Sequence, residues 1–563
     1  MKPQSSLVIS WGVALLIVGC AGLSAFFSYF PLTDGDIFWH LAAGREMIAH
    51  KHFLRVDPFS FTLQSPPWTD LHWLFQLIVY GLYTLGGYTA LLGFKLIVIA
   101  LSVFLLCKTF PSKKYAIIAG VCSALLFYEI RYLIDVRPIL ITIPCMALYV
   151  YLFEHARWTG KKKMLWLCVP LQILWTNSQG LYMIGLFIIG AYWFEGITAK
   201  ARAKPIFLGL VFLACVLSCI VNPYGFTGLL LPFKLLGRIN PSVGNIYSMN
   251  ISENVPLFSL AGHESIYRVV VLCSAALAGA LIAFNGKKAR MAHVILFIGF
   301  LSLAVSALRN VVLFVIIIIP LIGYNATYGK IAERAANLGK KNKLWAYTGL
   351  AIVIGAVLVD EVFSQARMLS IFPLHRSISP FCFPEKIVEK LKRNPVPGEM
   401  FNDMRYGGYL IWRFYPDKKV FIDTRLIVRS PLFFAEYLKS CDDPALFPVI
   451  AQKFNITQAI LPSAIFPLSL KVIKWLYRSK DWHLQYTDGS SVLFVKNEVS
   501  KSPGVDLSDT NSLRSVIEDI NREWEHSAFV RREAVVHFID LVKTLDLSKS
   551  AEYVRNQTRI KEL

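Results

Sequence analysis

Charge is what this sequence has least of. Only 17% of its 563 residues are Asp, Glu, Lys or Arg, and 55% are hydrophobic, against about 25% and 45–50% in soluble domains. That balance, with a mean hydropathy of +0.50, excludes a soluble globular chain and points to an integral membrane protein. Acidic residues are scarcer than basic ones, 37 against 58, which leaves a formal charge of +21. The Lys and Arg fall in short clusters between apolar runs, so the excess belongs to membrane topology and not to nucleic-acid binding.

Metal-ligand spacing is also missing. Eight of the ten cysteines (Cys20, Cys107, Cys122, Cys145, Cys168, Cys215, Cys219 and Cys273) sit inside apolar runs, where a free thiol behaves as a small hydrophobe. Cys382 and Cys441 lie in the polar C-terminal part; whether they pair depends on an oxidising compartment and stays open. No small-x-small cleavage site follows the first apolar run, Leu7 to Phe30, which comes after Lys2. The run is expected to be an uncleaved first span with a cytoplasmic N-terminus. No inverted repeat is visible, which argues against a transporter.

What is present is a series of about eleven bilayer-length or nearly bilayer-length runs. After Leu7 to Phe30 they are Leu91 to Cys107, Tyr115 to Ile130, Ile139 to Phe153, Met164 to Trp175, Leu181 to Ile197, Ile206 to Val221, Val269 to Phe284, Met291 to Leu308, Val311 to Tyr324 and Leu344 to Val359. The stretch Trp73 to Gly87 decides the topology. Laid along the outer interface, as its Trp73, Phe75, Tyr80 and Tyr83 suit, it puts every basic cluster on the cytoplasmic side, from Lys108/Lys113/Lys114 to Lys340/Lys341/Lys343. Lys95, near the outer end of the second span, is expected to snorkel or to face a polar cavity.

The same topology gathers the polar motifs on one external face: the loop 31–87, "DVRP" at Asp135, "TNSQG" at Thr176, "NPYG" at Asn222 and "LRN" at Leu308. Beyond Val359 charge and proline rise. "KKVFID" from Lys418, "QAILP" from Gln458 and "WHLQYTDGSSVLFVK" from Trp482 read as strands, the last with an Asp-Gly hairpin turn. From Ser502 the pattern is helical, with Asn511 as a possible cap. Three segments follow: a transmembrane domain over 1–361 with the external loop 31–87, an extracytoplasmic α/β domain over 362–500, and a helical tail over 501–563.

The loop motif "GDIFWHLAAGREM" starts a helix near Asp36 and puts Asp36 and His40 on one face, with Trp39 beside them. Asp36 and His40 are the candidate catalytic pair: a carboxylate there, near the His and a cation such as Arg137, could act as general base toward a hydroxyl or amine, with Asp34 as the alternative. The plainer reading is a helix cap and an interfacial histidine. Arg137 and Arg309, with Lys95 or Arg268 as further cations, are candidates for a phosphate; ordinary snorkelling is the alternative, favoured for Arg268. Asn177 is a candidate sugar contact, while Asn222 reads as a cap. Asp57, Asp70 and His72 add polar groups that could join a substrate site. With His40 they could also hold a divalent metal, but no spacing supports one and structural loop bonds are the more economical account.

The runs "GDIFWHLAAGREMI", "PPWTDLHWLFQLIVYGLYTLGG" and "VRPILITIPCMALYVYLFEHARW" resemble the C-type (GT-C) membrane glycosyltransferases that use polyprenyl-phosphate-linked sugars. "DxxWHL", "DPFSFT", "NPYG" and "GGYLIWxxYPxxKVFIDxR" resemble most a largely uncharacterised bacterial branch. The likeness extends to about Val495. It implies an α-helical polytopic fold, Asp36 as catalytic base, Arg137 as a donor-phosphate contact, and inverting transfer at the outer face of the cytoplasmic membrane. Where many of the wider family carry a second acid after that Asp, Ile37 stands here, which leaves metal dependence and acceptor class open. The expected partners are a polyprenyl-phosphate-linked sugar, membrane lipid, an unidentified acceptor and a protein bound through the tail. The rival is a non-catalytic glycolipid-binding or scaffold protein of an envelope assembly machine.

Overall fold

The computed structural model describes residues 11–62, 66–198, 204–239, 246–286, 289–336, 340–372, 377–425, 428–464, 467–500 and 503–558. Lys2 lies outside them, as do Lys200, Arg202, Lys287 and Lys288, which belong to basic clusters between the first and last of those assigned to the cytoplasmic side. The chain forms two compact units, one of residues 1–30 and 69–370, the other of 31–68 and 371–563. The first external loop is therefore divided: 31–68 belongs with the C-terminal part and 69–87 with the helices.

In the helical unit each apolar run falls on a helix. Among the described residues, Trp73–Lys108, Ile139–Thr159, Gly180–Thr198, Gly262–Asn285 and Leu308–Tyr328 are long and apolar enough to cross a bilayer. Trp11–Phe27, Pro205–Ser218, Gly225–Leu235 and Met291–Ser306 are shorter apolar helices. The protein is a multi-pass membrane protein. The stretch from Trp73 continues into the next span, but the helix breaks at Gly86 (φ −160°, ψ 27°) and Gly87 (φ 59°, ψ −151°). A positive φ costs glycine no Cβ clash, so the pair ends the aromatic segment where the sequence expected it to end.

Val311–Tyr328 is buried on nearly every side, as expected of a helix that is hydrophobic all round, and packs against Lys113–Glu129, Ser265–Asn285 and Met291–Ser306. One buried cluster of charges in this unit is electrically balanced. Arg290 donates to both carboxylate oxygens of Glu154 at 2.6 Å and to Glu195 at 2.8 and 3.1 Å. Tyr192 donates to Glu154 at 2.8 Å, and Arg157 to Glu195 at 2.8 Å. Two carboxylates and two guanidiniums thereby join helices Ile139–Thr159, Met183–Thr198 and Met291–Ser306 without an unpaired charge.

The second unit is built on a four-stranded sheet ordered β1-β2-β4-β3. β1 (Glu399–Asn402) runs parallel to β2 (Ile456–Pro462), and β4 (Ser491–Lys496) lies antiparallel between β2 and β3 (Trp482–Thr487). "QAILP" is β2, and "WHLQYTDGSSVLFVK" is the β3–β4 hairpin, its turn at Gly489 with φ 88°. "KKVFID" is not a strand. Asn402 takes its backbone instead: the Phe421 N–H donates to Asn402 Oδ1 at 2.9 Å, and Asn402 Nδ2 donates to the Ile422 carbonyl at 2.7 Å. Only a Ser60–Val420 bridge remains.

The tail forms three helices, Thr510–Glu523, Ala528–Thr544 and Ser548–Thr558, packed on one another. Its first cap is Asp509, which accepts from the Ser512 N–H at 2.8 Å, and not Asn511. Phe381 packs on Trp524 and His537, and the Val505 N–H donates to the Leu484 carbonyl, so the tail folds on its own α/β unit. Cys382 and Cys441 are free thiols.

Segment 31–68 is held by the same unit. Leu32 exchanges backbone bonds with Ser377 and Ser379, and Val420 N–H donates to the Phe59 carbonyl. Helix Asp36–His50 crosses helix Met404–Phe414 at two glycines: a Cβ on Gly408 would collide with the Gly35 carbonyl, and one on Gly35 would lie 2.6 Å from the Arg405 carbonyl. Gly408→Ala is expected to lower unfolding stability by about 1–3 kcal/mol, measured as a drop in Tm of the purified protein in lipid, whereas Gly93→Ala, in a helix interior open to 4 Å, does not lower it.

Candidate functional site

Helix Asp36–His50 begins at a turn whose first amide is taken by Asp34: the Asp36 N–H donates to Asp34 Oδ1 at 3.0 Å. Asp34 thus acts on the backbone of the helix start. The half-buried Asp36 carboxylate accepts from Trp39 Nε1 at 3.1 Å and from the Thr424 hydroxyl, both on Oδ1. His40 is 2% exposed, its ring centroid 3.6 Å from that of Trp39 with the two planes tilted by 34°. Trp39 thus meets both residues, its indole N–H at Asp36 and its ring beside the buried His40.

Thr424 is placed by its neighbours. Arg425 grips Asp423 with two parallel bonds, Nε and Nη2 each 2.8 Å from a carboxylate oxygen, and its Nη1 pairs with Asp57 at 2.9 Å. Its guanidinium lies 4.8 Å from the Trp68 ring centroid and 5.0 Å from that of Phe59, stacking that suits a planar cation. Asp57 also accepts from the Phe59 N–H at 3.0 Å and from the Ser60 hydroxyl. Arg429 completes the set, donating to Thr62 at 2.6 Å and lying 3.7 Å from Asp423. Two acids and two guanidiniums, all buried, are electrically balanced. Asp57 is thus a member of an internal ion network that shapes the turn carrying Thr424.

Sequence reasoning had the strip "KVFIDxR" but not Asp423, Thr424, Arg425 or Arg429 as site residues. The available signal was Asp423, Arg425 and Arg429 within seven residues of an otherwise apolar stretch, since such charges persist in a core only when paired.

The other candidates belong to the helical unit. Arg137 pairs with Glu253, and Arg309 lies within electrostatic reach of both. The turn bearing Arg309 is tied down by Leu308 N–H donating to the Val255 carbonyl at 3.0 Å. Asp135 accepts from the Val136 N–H at 2.7 Å, which sets the turn before Arg137. The structure so brings Arg137 and Arg309 together, with Glu253 as a residue the sequence did not single out. Lys95 neither snorkels nor is solvated: it is fully buried, its ammonium 3.3 Å from the Phe30 ring centroid and without a hydrogen bond among the described residues. Arg268 donates to the Leu260 carbonyl at 2.6 Å, a local tie.

Asp70 accepts from the His72 N–H at 3.0 Å and sits 3.5 Å from His72 Nδ1, while His72 Nε2 is 3.1 Å from Gln179 Oε1. Asn177 accepts from Trp73 Nε1 at 2.9 Å and donates to the Ile173 and Val221 carbonyls at 2.8 and 2.7 Å. Its amide clasps three segments of the helical unit. Asn222 bonds Tyr224 N–H and the Cys219 and Gly225 carbonyls, a turn cap. Among the described residues no three His, Cys, Asp or Glu side chains are grouped as metal ligands.

No family model and no curated protein matches the chain. Solved structures do. The oligosaccharyltransferase AglB from the archaeon Archaeoglobus fulgidus, in complex with an inhibitory peptide and a dolichol-phosphate, is 11% identical with a TM-score of 0.55 over 98% of this chain and 86% of its own. The Archaeoglobus fulgidus oligosaccharyltransferase tethered to an acceptor peptide is 12% identical, with a TM-score of 0.54 over 88% and 76%. ArnT from Cupriavidus metallidurans, bound to undecaprenyl phosphate, is 13% identical, with a TM-score of 0.50 over 88% of this chain and all of its own. The fold is that of the GT-C membrane glycosyltransferases.

Burial alone would raise the Asp423 carboxyl, but the Arg425 guanidinium, its hydrogen bonds and Arg429 outweigh burial and hold it below its ordinary value. Its contribution to stability is then complete above the unfolded value, about 3.9, and is lost as pH falls through the lower native value. Thermal unfolding followed from pH 7 to pH 3 should show this acid limb. Arg425→Gln, which strands two buried carboxylates, should cost about 3–5 kcal/mol at pH 7 and flatten the limb.

Proposed function

We propose that this protein transfers a sugar from a polyprenyl-phosphate carrier to an acceptor at the outer face of the cytoplasmic membrane, with inversion at the anomeric carbon. The observation that carries the reading is the Asp36 carboxylate, half-buried at a helix start and oriented by Trp39 and Thr424, in a chain with the GT-C fold. That AglB and ArnT were captured with dolichol-phosphate and undecaprenyl phosphate supports a carrier of the same chemistry here.

In this reading Asp36 takes the proton of the acceptor hydroxyl or amine as its lone pair forms the new bond to the anomeric carbon. The bond from that carbon to the phosphate oxygen breaks on the opposite face, and the electron pair leaves with the phosphate. Arg137 and Arg309 compensate the charge that collects there, with Glu253 keeping Arg137 oriented before the donor arrives. His40 acts through Trp39 as a positioning residue. Asp34 fixes the helix start, while Asp57 supports the turn of Thr424. Asp70 and His72, linked to Gln179, and Asn177 are assigned to the walls around the donor. Orientation follows the basic clusters, with a cytoplasmic N-terminus and an extracytoplasmic C-terminal part.

One observation favours a non-catalytic glycolipid-binding protein instead: Ile37, beside Asp36, is fully buried and supplies no second acid. Purified protein in lipid, given radiolabelled polyprenyl-phosphate sugars and membrane extract, separates the two. Transfer should fall about 10²- to 10⁴-fold in Asp36→Asn, and in Thr424→Val but not Thr424→Ser. Donor binding without transfer by the wild type assigns the scaffold role, and full activity in Asp36→Asn removes Asp36 from the mechanism.

A further inference from the structure

We infer that the outer face of helix Leu470–Arg478 in the α/β unit is a binding site for an acidic carbohydrate, a function separate from the transfer chemistry and not dependent on it. The helix has two faces. Val472, Ile473 and Leu476 are buried, while Lys471, Lys474, Trp475 and Arg478, spaced three, four and seven residues from the first, share the opposite side. With Pro444 and Ser479 they line an open cavity of about 390 Å³, within the usual span of small-molecule sites.

The floor and the rim differ in chemistry. Trp475 and Pro444 give an apolar platform, and the indole is held by Phe447, 5.9 Å away, which also packs on Trp482 and Phe401. Three cations stand around that platform with only two carboxylates between them. Lys471 lies 2.5 Å from Asp442, and Lys474 lies 2.6 Å from Asp546, which also takes Arg478. Asp442 and Asp546 are 76% and 55% exposed, and pairs this exposed contribute little, so an incoming anion can displace them. A flat aromatic accepts the C–H face of a sugar ring, and the surplus cation accepts a carboxylate, with Arg478 able to bind it through two nitrogens. A phosphate uses the rim and leaves the platform unused; a neutral sugar does the reverse. An acidic sugar uses both.

The test titrates the full-length protein, in nanodiscs of zwitterionic lipid, with a short oligogalacturonate, a neutral malto-oligosaccharide of equal length and inorganic phosphate. The oligogalacturonate should bind saturably and the neutral chain should not. Lys474→Glu with Arg478→Glu, and separately Trp475→Ala, should each weaken binding at least about tenfold, or about 1.4 kcal/mol. Where charge reversal lowers Tm, Arg478→Gln should still weaken binding. Equal binding of the neutral chain, phosphate competing at the same concentration as the sugar, or an equal loss from Lys386→Glu with Lys390→Glu on another helix would overturn the proposal. Sugar transfer measured on the same samples should be unchanged by these substitutions, so a failure of the transfer reading and a failure of this site are seen separately.

Discussion

Arg425 is the residue on which the second unit turns. Its guanidinium binds Asp423 through two nitrogens, pairs with Asp57 and lies against Trp68 and Phe59. Asp57, Phe59 and Trp68 come from the segment near the N-terminus, and Asp423 and Arg425 from the C-terminal part. A buried ion network thus welds two stretches of chain more than 350 residues apart in sequence. Such networks are weak contributors to net stability because desolvation cancels most of the attraction. Their strength is in geometry, since a planar guanidinium with fixed partners leaves few alternative packings. Thr424, flanked by Asp423 and Arg425, inherits that fixity and passes it to Asp36.

The glycines act on the same junction from the other side. Gly407 faces the Ile422 carbonyl and Gly408 the Gly35 carbonyl, each too close for a side chain. Two adjacent glycines in a helix interior weaken it by removing side-chain packing and adding backbone entropy to the unfolded state. Here that cost goes with a helix lying directly on two backbones at once, which no larger residue permits.

Periodicity and length were enough to read the helical unit: the apolar runs fall on helices, and Gly86 and Gly87 mark a break that two consecutive glycines advertise. The β3–β4 hairpin was equally legible, because Asp488-Gly489 between alternating strands is a local code. What stayed hidden was non-local. "KKVFID" has the composition of a strand, yet the Asn402 side chain takes the backbone groups that a strand would offer to a neighbour. Asp34 and Asp36 were visible as a pair of acids, but only the fold shows that one serves the backbone while the other meets Thr424. Asp57 could be seen and not understood, since its partner lies 368 residues further on.

The treatment of charge separates structure from function across the protein. Arg290 and Arg157 with Glu154 and Glu195, and Arg425 and Arg429 with Asp423 and Asp57, are closed sets in which acids and guanidiniums balance. A closed set has nothing left with which to hold a charged ligand. Arg137 and Arg309 are different, for two guanidiniums lie within reach of the one carboxylate of Glu253. Lys95 is buried without a hydrogen bond among the described residues, an arrangement that is costly in an apolar medium and that packing alone does not require. Asp135 lies near enough to interact with it, so three basic side chains, Lys95, Arg137 and Arg309, and two acidic ones, Asp135 and Glu253, gather around the "DVRP" and "LRN" turns. An anion is the group that such a set is suited to receive, and it is to this set that the proposed transfer assigns the carrier phosphate.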